Sequence, residues 1–293
     1  MSSFYADPPA CPSCCLLSAR TIMPIAPSAQ VHPTAILSPD AEVAEGVQIG
    51  PYAILEGPVQ VAPGCIIRPH ACLIGPLTMG RENQIFTGAV LGERPQHLKY
   101  QGEPTRLEIG DRNIFREGVT VHRGTTHSWI TRIGNDNYFM ANSHVAHDCE
   151  VGNRCIFANG AVIGGHCSIG DSVILSGNCA VHQFVRVGRL ALLSGCSVTT
   201  KDLPPFMVQQ GFDNIVSINV VGLRRAGMTN GQINAIRRAF RILYREGLVI
   251  PTALARIEHE LGTVDAVREL VTFIRHSTRG INMMRERHAP VAA

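Results

Sequence analysis

Charge and aromatic area are both scarce in this chain. Asp, Glu, Lys and Arg supply 17% of the residues and Phe, Trp and Tyr only 5%, while small and aliphatic residues carry the apolar share to 45%. A quarter charged is usual, so a solvated polyelectrolyte is excluded. No uncharged apolar run approaches the eighteen or so residues of a bilayer span, which excludes a transmembrane helix. The net charge of +3 is too small to point to nucleic acid. Gly (28) and Pro (18) stay below the level that accompanies low-complexity disorder. At 293 residues the chain is long enough for one large domain or two modest ones, with no need of disulfide staples.

Spacing that would pair the ten cysteines is also lacking, and no secretory leader precedes them. Buried thiols in a reducing cytosol are the expectation. Cys11, Cys14 and Cys15 form a CxxCC cluster without a second Cys/His pair at zinc-finger distance, so no metal is assigned to it. Met1 to Ile22 has no basic n-region, and Leu16-Leu17 is too short an apolar core for a signal peptide. Residues 1–22 are expected to be a disordered tail or a misassigned start, with Met23 as the alternative initiator.

What is present is a period of six. From Val31 an aliphatic residue recurs at Leu37, Val43, Ile49, Leu55, Val61, Ile67, Leu73, Met79, Ile85 and Leu91, and the same frame continues to Leu193. Of its 28 positions only His97, Glu103 and His127 are not apolar, and they mark two excursions, roughly residues 92–108 and 122–132. Six fits neither a helix at 3.6 nor strand alternation at 2, but it fits short strands of a parallel β-helix joined by tight turns. Small residues one after the aliphatic position, such as Gly50, Gly110, Gly134, Gly152 and Gly170, suit those turns. The pattern resembles the hexapeptide-repeat proteins, which implies a left-handed, three-walled coil and trimerisation. Eighteen residues per coil over residues 31–193 give about nine coils.

The frame stops near Thr199, and Pro204-Pro205 is read as a boundary. Beyond it the period becomes helical. Thr229 is expected to cap a helix bearing Ile233, Ile236, Phe240, Leu243 and Tyr244 and ending at Gly247; Pro251 opens a second, with Leu254, Ile257 and Leu261 before Gly262. Thr263 is expected to cap a third, with Val267, Leu270, Val271 and Ile274 inward and Gly280 at its end. The fold class is thus mainly β: a parallel β-helix over 23–203, a small C-terminal α-helical domain over 204–285, and a loose tail over 286–293.

Histidine is the informative polar residue. Three repeats make a coil, so residues following Val145, Ile163 and Val181 lie on one wall of three successive coils, and His147, His166 and His182 follow them by two, three and one. They are expected to form a column in which an imidazole acts as general base, with Asp148 orienting His147. The alternative chemistry is a zinc hydratase of the carbonic anhydrase type, in which three imidazoles and a water hold the metal. A third reading is a non-catalytic β-helix scaffold.

Several uninterrupted runs decide between them: LKYQGEPTRLEIGDRN from Leu98, VTVHRGT from Val119, AHDCEVGNRC from Ala146, AVHQF from Ala180, NVVGLRRAGM from Asn219 and STRG at Ser277. With VHPTA at Val31, they closely resemble the UDP-N-acetylglucosamine O-acyltransferases that open lipid A synthesis, over Val31 to Gly280. The resemblance implies a cytoplasmic homotrimer that uses no cofactor and moves an (R)-3-hydroxyacyl group from acyl carrier protein to the sugar 3-hydroxyl. It implies His147 as base, Asp148 as its orienting partner and the Gly165 backbone N–H as donor to the developing oxyanion. By the same matching His97, Lys99, His122, His144, His166, His182, Gln183, Asn219 and Arg225 line the substrate cleft between subunits. Lys99 reaches in from a neighbouring chain, and Gly195 measures the acyl chain. Arg237, Arg238, Arg241 and Arg245 offer a basic helix face to the acidic carrier protein.

Departures from the family pattern are local. His97 stands where an acidic residue is common, and Ala226 where an arginine is frequent. The run Gly-Phe-Asp-Asn-Ile-Val-Ser-Ile from Gly211 is unlike the usual form. Thr126-His127-Ser128-Trp129 replaces a glycine-rich excursion and is one residue shorter. These changes leave acceptor identity, a sugar bearing a 3-hydroxyl or a 3-amine, less determined than reaction type.

Overall fold

A computed structural model describes residues 25–284. Cys11, Cys14 and Cys15, the alternative start at Met23 and the tails expected at 1–22 and 286–293 lie outside the described residues.

Short strands of two to four residues stack into three walls. The first runs from Gln30–Val31 to Met207–Gln209, the second from Ile36–Leu37 to Val198–Thr199, and the third from Glu42–Val43 to Arg186–Val187. All pairings along them are parallel, and the frame residue of each strand points inward, as at Leu55, Ile67, Leu73, Met79, Ile85 and Leu91, all fully buried. Phe115, Phe139 and Phe157 stack in the first wall with ring centroids 4.9 and 4.7 Å apart.

Both excursions preserve phase for a simple reason. Met79 pairs with Ile109, thirty residues on, and Ile109 with Ile133, twenty-four on, where an unbroken coil takes eighteen. The insertions are therefore twelve and six residues, whole multiples of the repeat.

A second inward position, two residues before the frame, is less regular, because small or polar residues alternate there with aliphatic ones such as Leu77 and Leu107. Cys65, Cys149, Cys155, Cys167 and Cys179 are buried free thiols there. In one corner it holds a buried ladder. The Asn113 N–H donates to Asn83 Oδ1 at 2.8 Å, the Asn137 N–H to Asn113 Oδ1 at 2.9 Å, and the Cys155 N–H to Asn137 Oδ1 at 2.7 Å. Each Asn amide also donates to a glycine carbonyl, Asn113 to Gly134 at 2.9 Å. Replacing Asn113 by Ala leaves the Asn137 N–H and the Gly134 carbonyl buried and unmatched, at about 1 to 3 kcal/mol each. We expect Asn113→Ala to lower the thermal midpoint by several degrees; an unchanged midpoint in a melting experiment would remove the ladder from the stability account.

The glycines one after the frame, such as Gly110, Gly134 and Gly152, serve close approach rather than unusual backbone angles. At Gly134 a Cβ would stand 2.5 Å from the Gly152 carbonyl of the next coil. The left-handed backbone positions lie three after the frame, where glycines such as Gly64 (φ 74°) and Gly160 (φ 68°) alternate with side-chain-bearing residues that include Asp148 (φ 59°), His166 (φ 61°) and Phe184 (φ 64°).

The sheet runs on past residue 203. Met207–Gln209 still pairs in parallel with Leu192–Leu193, which makes ten parallel strands in the first wall, and Ile215–Ile218 folds back antiparallel on it. Helix α1, Val220–Arg225, was not foreseen; Asn219 caps it by accepting from the Gly222 N–H at 2.9 Å. Helix α2, Asn230–Arg245, starts at a Thr229 capping box with Gln232, and α3, Ile250–Leu261, carries Pro251 in its first turn. Helix α4, Asp265–Arg275, differs from expectation at both ends. Val264, not Thr263, is its N-cap and makes no side-chain cap bond, and it ends at His276, with Gly280 four residues beyond. The helices are pinned to the prism by Arg189, which meets Glu269 at 2.7 Å, and by Arg186 over the Phe273 ring at 4.2 Å. No helix of the described residues is long and apolar enough to cross a membrane.

Candidate active site

Register builds the site. Val145 pairs with Ile163 and Ile163 with Val181, so the turns that leave these three residues stack one coil apart, about 4.8 Å. Gly165 therefore lies over His147, and His166 and then Phe184 over Asp148. The absence of a side chain at Gly165 is what makes room for the imidazole. A Cβ there would stand 2.6 Å from His147 Cε1 and 2.9 Å from Nε2.

His147 Nδ1 and Asp148 Oδ2 are 2.7 Å apart, and both side chains are buried. With Nδ1–H donating to the carboxylate, the Nε2 lone pair is left to accept a proton. Asp148 is held from its other side by the second excursion. The Thr125 N–H and the Ser128 N–H donate to Oδ1 at 2.9 and 3.2 Å, Thr125 Oγ1 donates to Oδ2 at 2.7 Å, and Ser128 Oγ reaches Oδ1 at 2.5 Å. Burial by itself would raise this carboxyl; the hydrogen bonds from His147, Ser128 and Thr125 outweigh it and keep the group well below the usual carboxylate range. Asp148 is thus an anion across the working pH range, suited to stabilising an imidazolium on His147.

The Gly165 N–H is a backbone donor in the same corner. In the corner that leaves the third wall, the N–H two after the frame is capped by a side chain of the next coil: Asn135 by Asn153 Oδ1 at 2.8 Å and Asn153 by Asp171 Oδ1 at 2.8 Å. Among the described residues no acceptor meets the Gly165 N–H, nor the equivalent N–H groups of His147 and Gln183 in this corner. A free backbone donor beside a general base is the pairing that acyl transfer uses.

Other rings crowd this pair. His166 packs edge-on to His147 with centroids 5.0 Å apart and lies flat on Phe184 at 4.3 Å. His97, from the first excursion, meets His147 at 5.3 Å, and His127, from the second, meets His166 at 4.6 Å. One coil below, His122 contacts His144 at 5.0 Å, and His144 Nδ1 lies 2.7 Å from Thr120 Oγ1. Burial, then the neighbouring His144, push His122 down to about 4, and burial lowers His144 and His166 as well. His122, His144 and His166 are thereby suited to offering hydrogen bonds rather than charge.

The expected column is corrected at one member. His182 does not join the ring contacts of His147 and His166; it is exposed, with Arg279 Nη2 3.3 Å from its Nδ1. At one residue after the frame its side chain leaves the corner in another direction, and Phe184 takes the third place. Gln183 is exposed over Gly165, and Lys99 is exposed at the tip of the first excursion beside fully exposed Leu98. Asn219 and Arg225 stand elsewhere. With Arg154, Ser172 and Arg189 they line a cavity of about 540 Å³ against the first wall, at a different edge of the prism. Asn219 is also committed locally, donating to the Leu190 carbonyl at 2.9 Å besides capping α1.

Gly195 is exposed, and a Cβ there would meet only the Gly177 carbonyl at an ordinary 3.5 Å, so the fold of the protomer does not demand a glycine. On α2, Arg237 and Arg241 are exposed and Arg245 lies over Phe240, but Arg238 is bound to Glu246 at 2.8 Å and Glu260 at 3.1 Å. That double ion pair withdraws Arg238 from the basic face expected of it.

Among the described residues, His147, Asp148 and His166 bring possible metal-binding atoms within 4.8 Å of one another. The Asp148 oxygens already accept five hydrogen bonds, and His147 Nδ1 is turned to them, which fits an acid–base dyad better than a ligand set. Sequence reasoning missed Thr125, Ser128 and His127. The signal was available, because residues after Val121 must stack under those after Val145.

Comparison with known proteins agrees with this geometry. The family model described as "Udp N-acetylglucosamine O-acyltransferase; Domain 2" matches residues 202–282, and the bacterial transferase hexapeptide model matches 40–75 and 130–165. An acyl-(acyl-carrier-protein)-UDP-N-acetylglucosamine O-acyltransferase from Anaeromyxobacter sp. (strain Fw109-5) is 50% identical over 253 residues, covering 86% of this chain and 98% of the relative. The crystal structure of a UDP-N-acetylglucosamine acyltransferase from Bacteroides fragilis superposes with a TM-score of 0.80 at 38% identity, over 88% of this chain and 99% of that one. The enzyme of that name from Campylobacter jejuni gives 0.83 at 30% identity, over 87% and 100%. The chain belongs to the UDP-N-acetylglucosamine O-acyltransferase family.

Proposed function

We propose that this protein transfers an (R)-3-hydroxyacyl group from acyl carrier protein to the 3-hydroxyl of UDP-N-acetylglucosamine, the opening step of lipid A synthesis. The observation that carries the reading is the buried His147–Asp148 dyad at 2.7 Å, packed against Gly165. His147 Nε2 takes the proton of the sugar hydroxyl as its oxygen attacks the thioester carbon. The Gly165 N–H stabilises the oxyanion, the C–S bond breaks, and the proton passes to the departing carrier-protein thiolate. No metal or free cofactor enters this scheme.

Two features support a homotrimer. Asn219 and Arg225 face a different edge from His147, and Lys99 projects from an exposed excursion, so a neighbouring protomer would complete the cleft. Arg225 suits a nucleotide phosphate through its planar donor fork. His97, His122, His144, His166, His182 and Gln183 are the further sugar and acyl contacts of the reading. Arg237, Arg241 and Arg245 remain the docking face for carrier protein, without Arg238. A carrier-protein donor and a nucleotide-sugar acceptor support a cytoplasmic location.

Gly195 leaves the acyl groove open, so longer hydroxyacyl chains are the preferred donors. Incubation with a series of 3-hydroxyacyl carrier proteins and UDP-N-acetylglucosamine, followed by mass analysis, tests donor, acceptor and chain length together. Acylated nucleotide sugar with the highest turnover for the longer chains is expected; a sharp preference for the shortest would sink the role of Gly195. An acceptor with a 3-amine used in preference to the 3-hydroxyl would revise the acceptor.

A further inference from the structure

The turn from Thr125, the last residue of the family-like run VTVHRGT, through the Thr126-His127-Ser128-Trp129 segment that departs from the family pattern closes around the carboxylate behind the base. Trp129 N–H donates to the Thr125 carbonyl at 2.8 Å, and His127 N–H to Thr125 Oγ1 at 3.3 Å, which folds the turn so that two backbone N–H groups and two hydroxyls converge on Asp148. The carboxylate is fully enclosed. Ser128 Oγ stands 2.5 Å from Asp148 Oδ1 and 2.8 Å from the Ile130 carbonyl, and its single proton goes to the nearer, charged acceptor. Thr131 fixes the backbone from below, accepting from the Asp148 N–H at 2.8 Å.

We infer that Thr125 and Ser128 are positioning residues of the acyl-transfer site, holding Asp148 in the orientation that keeps His147 Nδ1 protonated and Nε2 free. The inference rests on the reading of His147 as base. Thr125 Oγ1 and His147 Nδ1 share the same oxygen, Oδ2, at 2.7 Å each, so the hydroxyl fixes where the imidazole points. A carboxylate that shares its charge with two hydroxyls attracts an imidazolium less than one with fewer donors, so removing a hydroxyl tips the dyad toward the ion pair.

The titratable groups around the dyad are His97 and His166 at 5.3 and 5.0 Å from the His147 ring, His127 behind His166, His144 on the preceding strand, His122 one coil below with Glu93 beside it, and the Cys149 thiol. Among the described residues the carboxylate of Asp148 forms no ion pair with a lysine or arginine, which leaves the hydroxyls as its adjustable partners.

The test compares Ser128→Ala, Thr125→Val and Thr125→Ser in the full-length enzyme, with 3-hydroxyacyl carrier protein and UDP-N-acetylglucosamine as substrates. Ser128→Ala and Thr125→Val are each expected to lower kcat roughly tenfold while both KM values stay within about twofold. Both should move the acid limb of the kcat/KM profile upward by roughly half a pH unit, because the freed carboxylate raises the affinity of His147 for its proton. Thr125→Ser, which keeps the hydroxyl, should restore kcat and limb together. Loss of turnover with the limb unmoved, or with a matching fall in melting temperature and no rescue by serine, overturns the positioning role. His147→Ala run in parallel separates the two claims. If that variant is active, the base reading fails; if it is inactive while the hydroxyl variants behave as wild type, only the positioning role fails.

Discussion

His147→Ala is expected to keep its fold and lose at least roughly 10²-fold of kcat, since a positioned general base contributes about 10² to 10⁴ in rate. The fold should survive because the imidazole makes one polar contact, to Asp148, and that carboxylate retains four other donors from Thr125 and Ser128. No buried anion is orphaned, the usual cause of large destabilisation on removing one partner of such a pair. The loss should fall on kcat, with KM for the nucleotide sugar little changed. Steady-state turnover within tenfold of wild type would take the base role away from His147.

Gly165→Ala is expected to cost at least as much, through one methyl group. Its Cβ would enter the space of the His147 ring, 2.6 Å from Cε1, 2.9 Å from Nε2 and 3.1 Å from Nδ1. The ring cannot yield freely, being tied to Asp148 and packed against His166 and His97. It must lose the carboxylate or misplace Nε2, and a displacement of about 1 Å at a reacting atom costs on the order of 10²-fold. The Gly165 N–H shifts with the backbone, so the oxyanion donor suffers together with the base. A destabilisation of about 1 to 3 kcal/mol accompanies such crowding, small enough for the protein to be purified and assayed. A near-wild-type kcat in the alanine variant would show that the imidazole has a second productive position.

Much of this was open to reading in the sequence, for identifiable reasons. The prism was legible because each wall takes one aliphatic residue per coil at a constant spacing, and because both excursions happen to be whole repeats that keep Ile109 and Ile133 in frame. The stacking of Gly165 on His147 followed from the same count, since Val145 and Ile163 are paired. The count could not tell in which direction a turn residue points, and His182, one place earlier in its turn than His147 in its own, faces Arg279 instead.

The Asn83, Asn113 and Asn137 ladder stayed hidden because its residues look like surface positions until their amides are seen capping the next coil. The hold of Thr125 and Ser128 on Asp148 spans 20 to 23 residues and exists only through the register of adjacent coils. Helix α1 was missed for its length: six residues capped by Asn219 carry too little period to register. Arg238 looked free on α2 because its partners Glu246 and Glu260 come from beyond the helix. The family resemblance, by contrast, rested on contiguous words, and the 50% identity over 253 residues bears it out.

One quenched-flow measurement addresses direct, His147-dependent transfer most closely. Wild-type enzyme and His147→Ala are mixed with 3-hydroxyacyl carrier protein and UDP-N-acetylglucosamine, and both the nucleotide sugar and the intact protein are weighed by mass spectrometry during turnover. The expected result is a nucleotide sugar heavier by one hydroxyacyl group, formed by the wild type alone, with the mass of the enzyme unchanged throughout. An acylated enzyme that appears before the product, or product formed at wild-type rate by His147→Ala, would contradict the mechanism.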